Sequence, residues 1–209
     1  MISVYTVVWN EEFMLPHFLK HYEKVAKRIV VVDDHSSDKT PEIAKAHPKV
    51  TYVKKDTEGW NEQETSDIFS DLALQFGGWA VCVDADEFIQ GLETLGRPKG
   101  QIFKTIGYMM VGETGRLEDC FKVRMKTFDK PVVFDGRVEV KFGDGRHTVN
   151  LPTTDSNLEL WHYKYPSREY YLERNLAAYP RIMDKQMMDY RIKRGLDYYN
   201  RALADGGKS

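Results

Sequence analysis

The segment Trp79-Ala80-Val81-Cys82-Val83-Asp84-Ala85-Asp86-Glu87-Phe88 joins an apolar run to a group of carboxylates. A short apolar run that stops abruptly predicts a buried strand. If the chain stays extended beyond it, Asp84 and Asp86 point to the same side, because side chains alternate across a strand. Carboxylates in this arrangement suit Mg²⁺ or Mn²⁺, hard cations that can carry a diphosphate. The other interpretation is a solvated acidic turn after a core strand.

Two earlier segments show the same pattern of an apolar strand that ends in polar residues. Residues 2–9 are rich in β-branched and aromatic side chains and end at Asn10-Glu11-Glu12. Residues 28–32 form a continuous apolar run, which is typical of a strand covered on both faces, and end at Asp33-Asp34. Residues 50–53 predict a further short strand.

Helices are predicted in the intervals between these strands. Apolar residues recur at helical spacing over residues 13–27, a capped helix begins near Thr40-Pro41, and residues 61–76 present one apolar face. This alternation predicts an α/β fold with a mainly parallel central sheet and helices on both faces. Because ligands bind beyond the carboxyl ends of parallel strands, we expect one crevice to collect the polar strand ends.

The second half of the sequence has a different pattern. Five segments are predicted as strands, some with the alternation of half-buried antiparallel strands: residues 101–111, 121–128, 131–134, 137–142 and 157–161. Residues 167–179 and 184–204 are helical by pattern. A chain of 209 residues is long enough for one generous core, so we predict a single domain over residues 1–209.

Composition narrows the class of partner. The formal net charge of −2 provides no basic field that would gather nucleic acid. Cys82 and Cys120 are the only cysteines, so we expect reduced thiols and a cytoplasmic protein. No leader peptide and no transmembrane segment is visible in the sequence. The basic, aromatic stretch 185–204 leaves peripheral membrane contact open, although packing of its apolar side on the protein is the favoured interpretation.

Three segments resemble the signatures of the nucleotide-sugar-dependent glycosyltransferases of the GT-A fold, family 2 type. They are Val7-Val8-Trp9-Asn10-Glu11-Glu12, Val32-Asp33-Asp34-His35-Ser36-Ser37-Asp38-Lys39-Thr40 and Asp84-Ala85-Asp86-Glu87-Phe88, of which the last resembles a metal-binding DXD motif. Signatures in the family's order are more specific than any one alone. A looser match, to a His-Tyr…Ser pattern, covers residues 160–170.

The resemblance implies a role for each matching residue. Asp34 would contact the base of the nucleotide, Asp84 the ribose or the metal, and Asp86 would be a direct metal ligand. Gln63 lies where such enzymes often carry an arginine, which leaves the nucleotide open, with UDP as the expectation. The complete expected nucleotide-sugar site comprises Val7, Trp9, Asn10, Glu11, Asp34, Gln63 and Asp84.

The resemblance also implies a reaction. The chain would be a hexosyltransferase-type enzyme of glycan biosynthesis that uses Mn²⁺ or Mg²⁺ and transfers a sugar with inversion. Residues 1–90 would hold the nucleotide sugar and the metal, and residues 91–209 would face the acceptor, which is a hydroxyl of a glycan, a lipid-linked molecule or a small molecule. The family's Glu-Asp and Gln-x-x-Arg-Trp signatures are missing, which argues against a processive polymerase.

Two further roles are left open by the sequence. His162 could complete the metal shell, as a C-terminal histidine does in relatives, and His147 is the alternative. An inverting enzyme also needs a general base within hydrogen-bond reach of the acceptor hydroxyl, and the sequence does not identify it. The acids in the acceptor-side region are Glu113, Asp119, Asp135, Glu139 and Asp155, and each also fits an ordinary surface acid; Glu87 fits a role in orienting its loop or binding sugar hydroxyls.

Two other functions compete with transfer. A catalytically silent nucleotide-sugar-binding module would keep the crevice and lose turnover. A sugar nucleotidyltransferase on a similar fold would need a glycine-rich phosphate loop with a basic residue after the first strand, and Asn10-Glu11-Glu12 provides none.

Overall fold

The structure is a computed structural model that describes residues 1–55, 62–178 and 185–206. Two compact units are present: the first unit comprises Met1–Gly107 and Lys126–Leu160, and the second unit comprises Tyr108–Met125 and Trp161–Ser209. Whether the chain folds as the single domain expected from its length stays a prediction. The predicted helix boundaries at Asn61, Tyr179 and Asp184 lie outside the described residues.

Strands and helices alternate through the start of the first unit, as the sequence predicts. The elements in chain order are β1 (Ile2–Val8), α1 (Met14–Tyr22), β2 (Arg28–Asp33), α2 (Thr40–Ala46), β3 (Val50–Lys54), α3 (Glu62–Phe76) and β4 (Trp79–Cys82). The four strands are parallel and lie in the order β3-β2-β1-β4. Consecutive residues of β1 and β2 are buried, so both faces of these strands are covered. This burial explains their continuous apolar runs.

Antiparallel strands extend the sheet of the first unit beyond β4. The remaining elements are β5 (Glu87–Gln90), β6 (Ile102–Val111), β7 (Phe121–Arg124), β8 (Val133–Asp135), β9 (Thr154–Tyr165), α4 (Arg168–Ala178) and α5 (Lys185–Gly206). In the first unit the strand order continues β4-β8-β6-β9-β5. The strand β8 is antiparallel to both β4 and β6. The parallel centre with antiparallel additions is the expected α/β architecture.

One cluster of buried side chains joins α3 to this sheet. Phe69 and Ala73 of α3 belong to the same core as Tyr5, Val30 and Cys82 of the neighbouring strands. Phe69 and Tyr5 are completely buried, and burial of each large side chain contributes about 2 to 3 kcal/mol. The helix that follows the third strand is therefore held by its apolar face, as its periodicity predicts.

The predicted strand over residues 137–142 is wrong. A turn follows β8, because the Asp135 carboxylate accepts a hydrogen bond from Arg137 N at 3.1 Å and its carbonyl accepts one from Val138 N at 2.9 Å. Val140 and Phe142 are buried in the core of the first unit, so their alternation reflects packing of a loop. The predicted strand over residues 121–128 also ends early, at Arg124, and is followed by a short 3₁₀ turn.

The second unit is built around the ends of β6 and β9 and the two C-terminal helices. Tyr108 to Val111 of β6 pair with β7 in antiparallel register. The hydroxyl of Tyr199 on α5 donates to the carbonyl of Gly112 at 3.0 Å, and Tyr171 on α4 packs against Gly195 of α5. The apolar side of α5 therefore packs on its own unit. No helix in the described ranges has the length and apolarity that crossing a membrane requires.

Candidate active site

The carboxyl ends of β2, β1 and β4 lie side by side at one edge of the sheet. Val8 at the end of β1 pairs in register with Asp33 at the end of β2, and Asp34 N donates to the Val8 carbonyl at 2.8 Å. On the other side of β1, Val83 N donates to the Tyr5 carbonyl at 3.1 Å. The parallel topology thus places the polar segments that follow these three strands along one edge, where ligands bind in sheets of this kind.

The loops that follow β1 and β2 are tied to each other by hydrogen bonds. Asn10 N donates to Ser36 Oγ at 2.9 Å, and Ser37 N donates to the Asn10 side-chain carbonyl at 2.8 Å. Glu11 N donates to Thr40 Oγ1 at 2.7 Å, in a buried position. These contacts join residues 26 to 29 positions apart in the sequence. Residues of the first two signature segments therefore form one connected structure.

Backbone conformations of low population gather around this edge. Within the described residues, the non-glycine residues with positive φ are Asn10 at 52°, His35 at 60° and Arg146 at 58°. Asn10 and His35 follow β1 and β2, and Arg146 contacts the segment that follows β4. Left-handed conformations of this kind cost free energy and concentrate at functional sites. Their distribution supports this edge as the functional site of the first unit.

The Asp33 carboxylate is held within the protein framework. One oxygen accepts a hydrogen bond from Ser36 N at 3.2 Å, and the other accepts the Tyr52 hydroxyl at 2.8 Å. Burial of Tyr52 and this hydrogen bond to a carboxylate raise the pKa of Tyr52 to about 12. Tyr52 therefore stays a donor at neutral pH, and Asp33 orders the loop after β2.

Asp34 has a buried cation beside it. Lys55 Nζ lies 3.5 Å from Oδ1 of Asp34, and both side chains are about 3% exposed. The same ammonium lies 3.1 Å from Oε2 of Glu64 on α3. The residue that the resemblance assigns to the nucleotide base thus belongs to a charged cluster that also involves the end of β3 and the start of α3.

Asp84 and Asp86 lie in a turn, which corrects the expectation of an extended segment. Glu87 N donates to the Asp84 carbonyl at 3.0 Å, and Asp84 N donates to Oε2 of Glu87 at 3.2 Å. These reciprocal bonds close the turn. The strand β5 begins directly after it, at Glu87. The Asp84 side chain is 31% exposed, whereas Asp86 is 3% exposed. We call Asp84 to Glu87 the acidic turn.

Two buried cations pair with carboxylates of the acidic turn, and sequence reasoning missed both. Nη2 of Arg146 donates to Oδ1 of Asp84, and Lys130 Nζ lies 2.6 Å from Oε1 of Glu87. Burial lowers the pKa of Arg146, but the neighbouring Asp84 and Glu87 outweigh it, so that the net pKa is raised. These cations stand 62 and 43 positions from their partners, and no helical or strand periodicity in the sequence marks them.

The other predicted site residues occupy varied positions. Val7 and Trp9 are half-buried, in β1 and just beyond it. Gln63 on α3 is exposed, and its amide donates to Asp67 one turn further along the helix at 2.8 Å. His147 is exposed, with its ring 5.9 Å from that of Phe128. His162 is buried on β9, in the second unit, and its role as a metal ligand stays a prediction.

Two candidates for the general base are poorly suited to that role. Hydrogen bonds from Arg137, outweighing burial, lower the pKa of Asp135 to about 2. Hydrogen bonds from Arg116 and Thr114 likewise lower the pKa of Asp119. A general base works best with a pKa near the operating pH, which these pairings oppose. The remaining candidates, Glu113, Glu139 and Asp155, are exposed.

The carboxylates of the acidic turn are the groups in this region to compare with the ligands that a divalent cation needs. Across residues 1–55, 62–178 and 185–206, no group of three His, Cys, Asp or Glu side chains is arranged to hold a metal. Mg²⁺ needs less than that, since it is usually bound by one or two carboxylates together with substrate phosphates and water. The acidic turn contains two such carboxylates, Asp84 and Asp86, and Arg146 already contacts Asp84.

Comparison with known proteins gives a family match for part of the first unit. Residues 3–91 match the family model described as Glycosyl transferase family 2, and this range runs from β1 through β5. No curated protein matches the chain. Together with the α/β sheet, the match defines a glycosyltransferase domain of the GT-A, Rossmann-like fold. Residues 3–91 are thus a family 2-like nucleotide-sugar glycosyltransferase domain, which implies a nucleotide-sugar donor and an acceptor.

Proposed function

We propose that the chain is a metal-dependent, hexosyltransferase-type enzyme that moves a sugar from a nucleoside diphosphate, with UDP the expected nucleotide, to a hydroxyl acceptor with inversion. The observation that carries this proposal is the alignment of three polar segments at one sheet edge within the range of the family match. The strained backbone at Asn10 and His35 supports the same location.

The donor binds along the carboxyl edge of β2, β1 and β4. Asp34 contacts the base, and the buried Lys55 ammonium, 3.5 Å from Oδ1 of Asp34, orients that carboxylate. Val7 and Trp9 flank the base or ribose, and the loop at Asn10-Glu11 is held ready by its bonds to the loop after β2. Gln63, near the start of α3, forms part of the nucleotide site.

Asp84 and Asp86 are the carboxylates that would hold Mn²⁺ or Mg²⁺. The cation supplies Lewis-acid stabilisation of the charge that grows on the departing nucleoside diphosphate. Glu87 orients the acidic turn through its bond to Asp84 N, and Lys130 neutralises Glu87 so that it can stay buried. The turn therefore presents its carboxylates in a fixed arrangement.

The acceptor side lies in residues 91–209 under this proposal, with residues 1–90 as the donor half. The acceptor is a glycan, lipid-linked or small-molecule hydroxyl, and peripheral membrane contact is compatible with a lipid-linked acceptor. Met187 and Tyr190 are large apolar residues that α5 leaves exposed. Both cysteines are free, which favours a reducing compartment such as the cytoplasm.

Release of nucleoside diphosphate from a panel of sugar nucleotides, with Mn²⁺ and then with EDTA, tests the activity. We expect slow hydrolysis of one donor, stopped by EDTA and by Asp86→Asn. The matched control is Asp71→Asn, which removes an exposed carboxylate of α3 and should leave turnover unchanged. Turnover that survives both EDTA and Asp86→Asn would contradict the metal-dependent mechanism.

A catalytically silent binding module is the second candidate, and one observation favours it. Two of the three carboxylates of the acidic turn already have cation partners, Arg146 and Lys130, which weakens the attraction of the turn for a catalytic metal ion. Calorimetry distinguishes the two functions. Tight binding of a sugar nucleotide without release of nucleoside diphosphate, across a panel of glycan, lipid-linked and small acceptors, would establish the binding module.

A further inference from the structure

Arg146 is fixed against the acidic turn from an unusual backbone position. It follows Gly145, and both residues have a φ of 58°. Arg146 N donates to the Gly143 carbonyl at 2.9 Å, which closes a tight turn at this residue. Its guanidinium lies over the ring of Phe69, 5.3 Å from the centroid. A left-handed backbone conformation at an arginine costs about 1 to 2 kcal/mol. Strain of this size is concentrated at functional sites, so the position of Arg146 points to a function other than stability.

The hydrogen bonding of this arginine is incomplete. Its side chain is 7% exposed, and Nη2 donates to Asp84. Its Nε is fully buried and has no hydrogen-bond partner among the described residues. A guanidinium has five donors in a fixed fork, which suits bidentate binding of carboxylate or phosphate. The present arrangement uses the fork on one carboxylate oxygen and leaves a buried donor unsatisfied, which costs about 1 to 3 kcal/mol.

A diphosphate would satisfy this fork better than Asp84 does. Arg146 contacts the same carboxylate that would receive the divalent cation of the donor. A guanidinium and a metal ion at one carboxylate repel each other, so they cannot both be favoured there in the absence of phosphate. A diphosphate brings negative charge that accommodates both cations.

We propose that Arg146 is a positioning residue that occupies Asp84 in the empty site and moves to the donor's diphosphate when donor and divalent cation bind. This inference rests on the proposed function, because it takes a nucleoside diphosphate as the ligand. Arg146 then has two effects. It weakens binding of a divalent cation alone, and it strengthens binding of a nucleoside diphosphate relative to the monophosphate.

The test compares Arg146→Gln, Arg146→Lys and wild type, with Arg137→Gln as matched control. Arg137 is also an arginine paired with a carboxylate in the first unit. Its Nη2 lies 2.6 Å from Oδ2 of Asp135. Titration calorimetry measures Mn²⁺ alone, then UDP and UMP with Mn²⁺, and circular dichroism checks folding. In Arg146→Gln we expect Mn²⁺ alone to bind about tenfold more tightly, because the competing cation is gone. UDP should bind about tenfold more weakly, with UMP affected less.

The remaining outcomes each support or overturn the inference. Arg146→Lys keeps the charge, so Mn²⁺ alone should bind as in wild type while UDP loses affinity for lack of the fork. Equal Mn²⁺ affinity in wild type and Arg146→Gln, including no binding in either, overturns the inference. So does an unchanged ratio of UDP to UMP affinity. If these shifts occur but no sugar nucleotide is turned over, the proposed transferase fails and the role of Arg146 stands.

Discussion

Nζ of Lys130 lies 2.6 Å from Oε1 of Glu87, and the two side chains are 4% and 0% exposed. The other carboxylate oxygen of Glu87 accepts Asp84 N at 3.2 Å, and the Glu87 carbonyl accepts the Tyr22 hydroxyl at 2.9 Å. One acidic residue thus joins α1, the acidic turn and the loop before β8. The buried ion pair fixes the shape of the turn on which the proposed metal site depends.

Lys130→Met should destabilise the protein by about 3 to 5 kcal/mol, because it leaves the buried Glu87 carboxylate without its cation. Chemical denaturation measures this loss. The double variant Lys130→Met with Glu87→Gln removes the charge as well and should recover a large part of the stability. Equal stability of the single and double variants would contradict the unpaired Glu87 carboxylate as the cause of the loss.

Thr40→Val should loosen the connection between the loops that follow β1 and β2. The variant keeps the shape of the side chain but removes the acceptor of Glu11 N, a loss of about 1 to 3 kcal/mol for a buried donor. Thr40→Ser keeps the hydroxyl and serves as the control. We expect Thr40→Val to lower both the free energy of unfolding and the affinity for UDP. Thr40→Ser should leave both quantities close to their wild-type values.

Two glycines in the left-handed conformation allow the cost of backbone strain to be measured apart from the cost of a steric clash of an added Cβ atom. A Cβ at Gly78 would lie 2.7 Å from the Met1 carbonyl oxygen, whereas a Cβ at Gly100 would have nothing within 4 Å. Both residues have φ near 80°. Gly100→Ala should cost about 1 to 2 kcal/mol for the conformation alone. Gly78→Ala should cost clearly more in thermal or urea unfolding, and similar losses in the two variants would contradict the close approach of β1 and β4.

Stability should depend on pH through Asp135. Hydrogen bonds from Arg137 hold the pKa of this carboxyl at about 2, against an ordinary value of 3.8. Because the pKa of the folded state is the lower one, the contribution is complete above pH 4 and is lost as the pH falls through 2. We expect wild type to exceed Arg137→Gln in stability at pH 6, and the difference to shrink between pH 4 and pH 2. A difference that stays constant in urea titrations across this range would exclude the linkage.

The alternating strands and helices of the parallel sheet could be predicted from the sequence because each element is specified by the pattern of its own residues. Residues 29–32 form an apolar run that is typical of a strand covered on both faces, and α3 shows its buried face by periodicity. The segment at residues 137–142 misled the same reasoning. Its alternating apolar residues fill the core from a loop, because the Asp135 carboxylate turns the chain and ends β8.

The acidic edge was predictable, but its counter-ions were not. Parallel strand ends converge by topology, so Asp34 and Asp84 could be assigned to one edge from the strand pattern alone. Arg146 and Lys130 reach the acidic turn from irregular segments with no periodic signal. The one local sign was Asp144-Gly145 directly before Arg146, a dipeptide typical of a tight turn. Lys55 reaches Asp34 through the parallel register of β2 and β3, since Lys55 N donates to the Asp33 carbonyl at 2.9 Å.

An anomalous difference map at the manganese absorption edge, from crystals soaked with Mn²⁺ and a UDP-sugar, tests the central proposal most directly. We predict a manganese peak beside the Asp86 carboxylate, with the diphosphate bridging from the metal toward Arg146 and the base near Asp34. An ordered nucleotide at another place on the molecule, or a bound nucleotide with no manganese near Asp84 and Asp86, would contradict it.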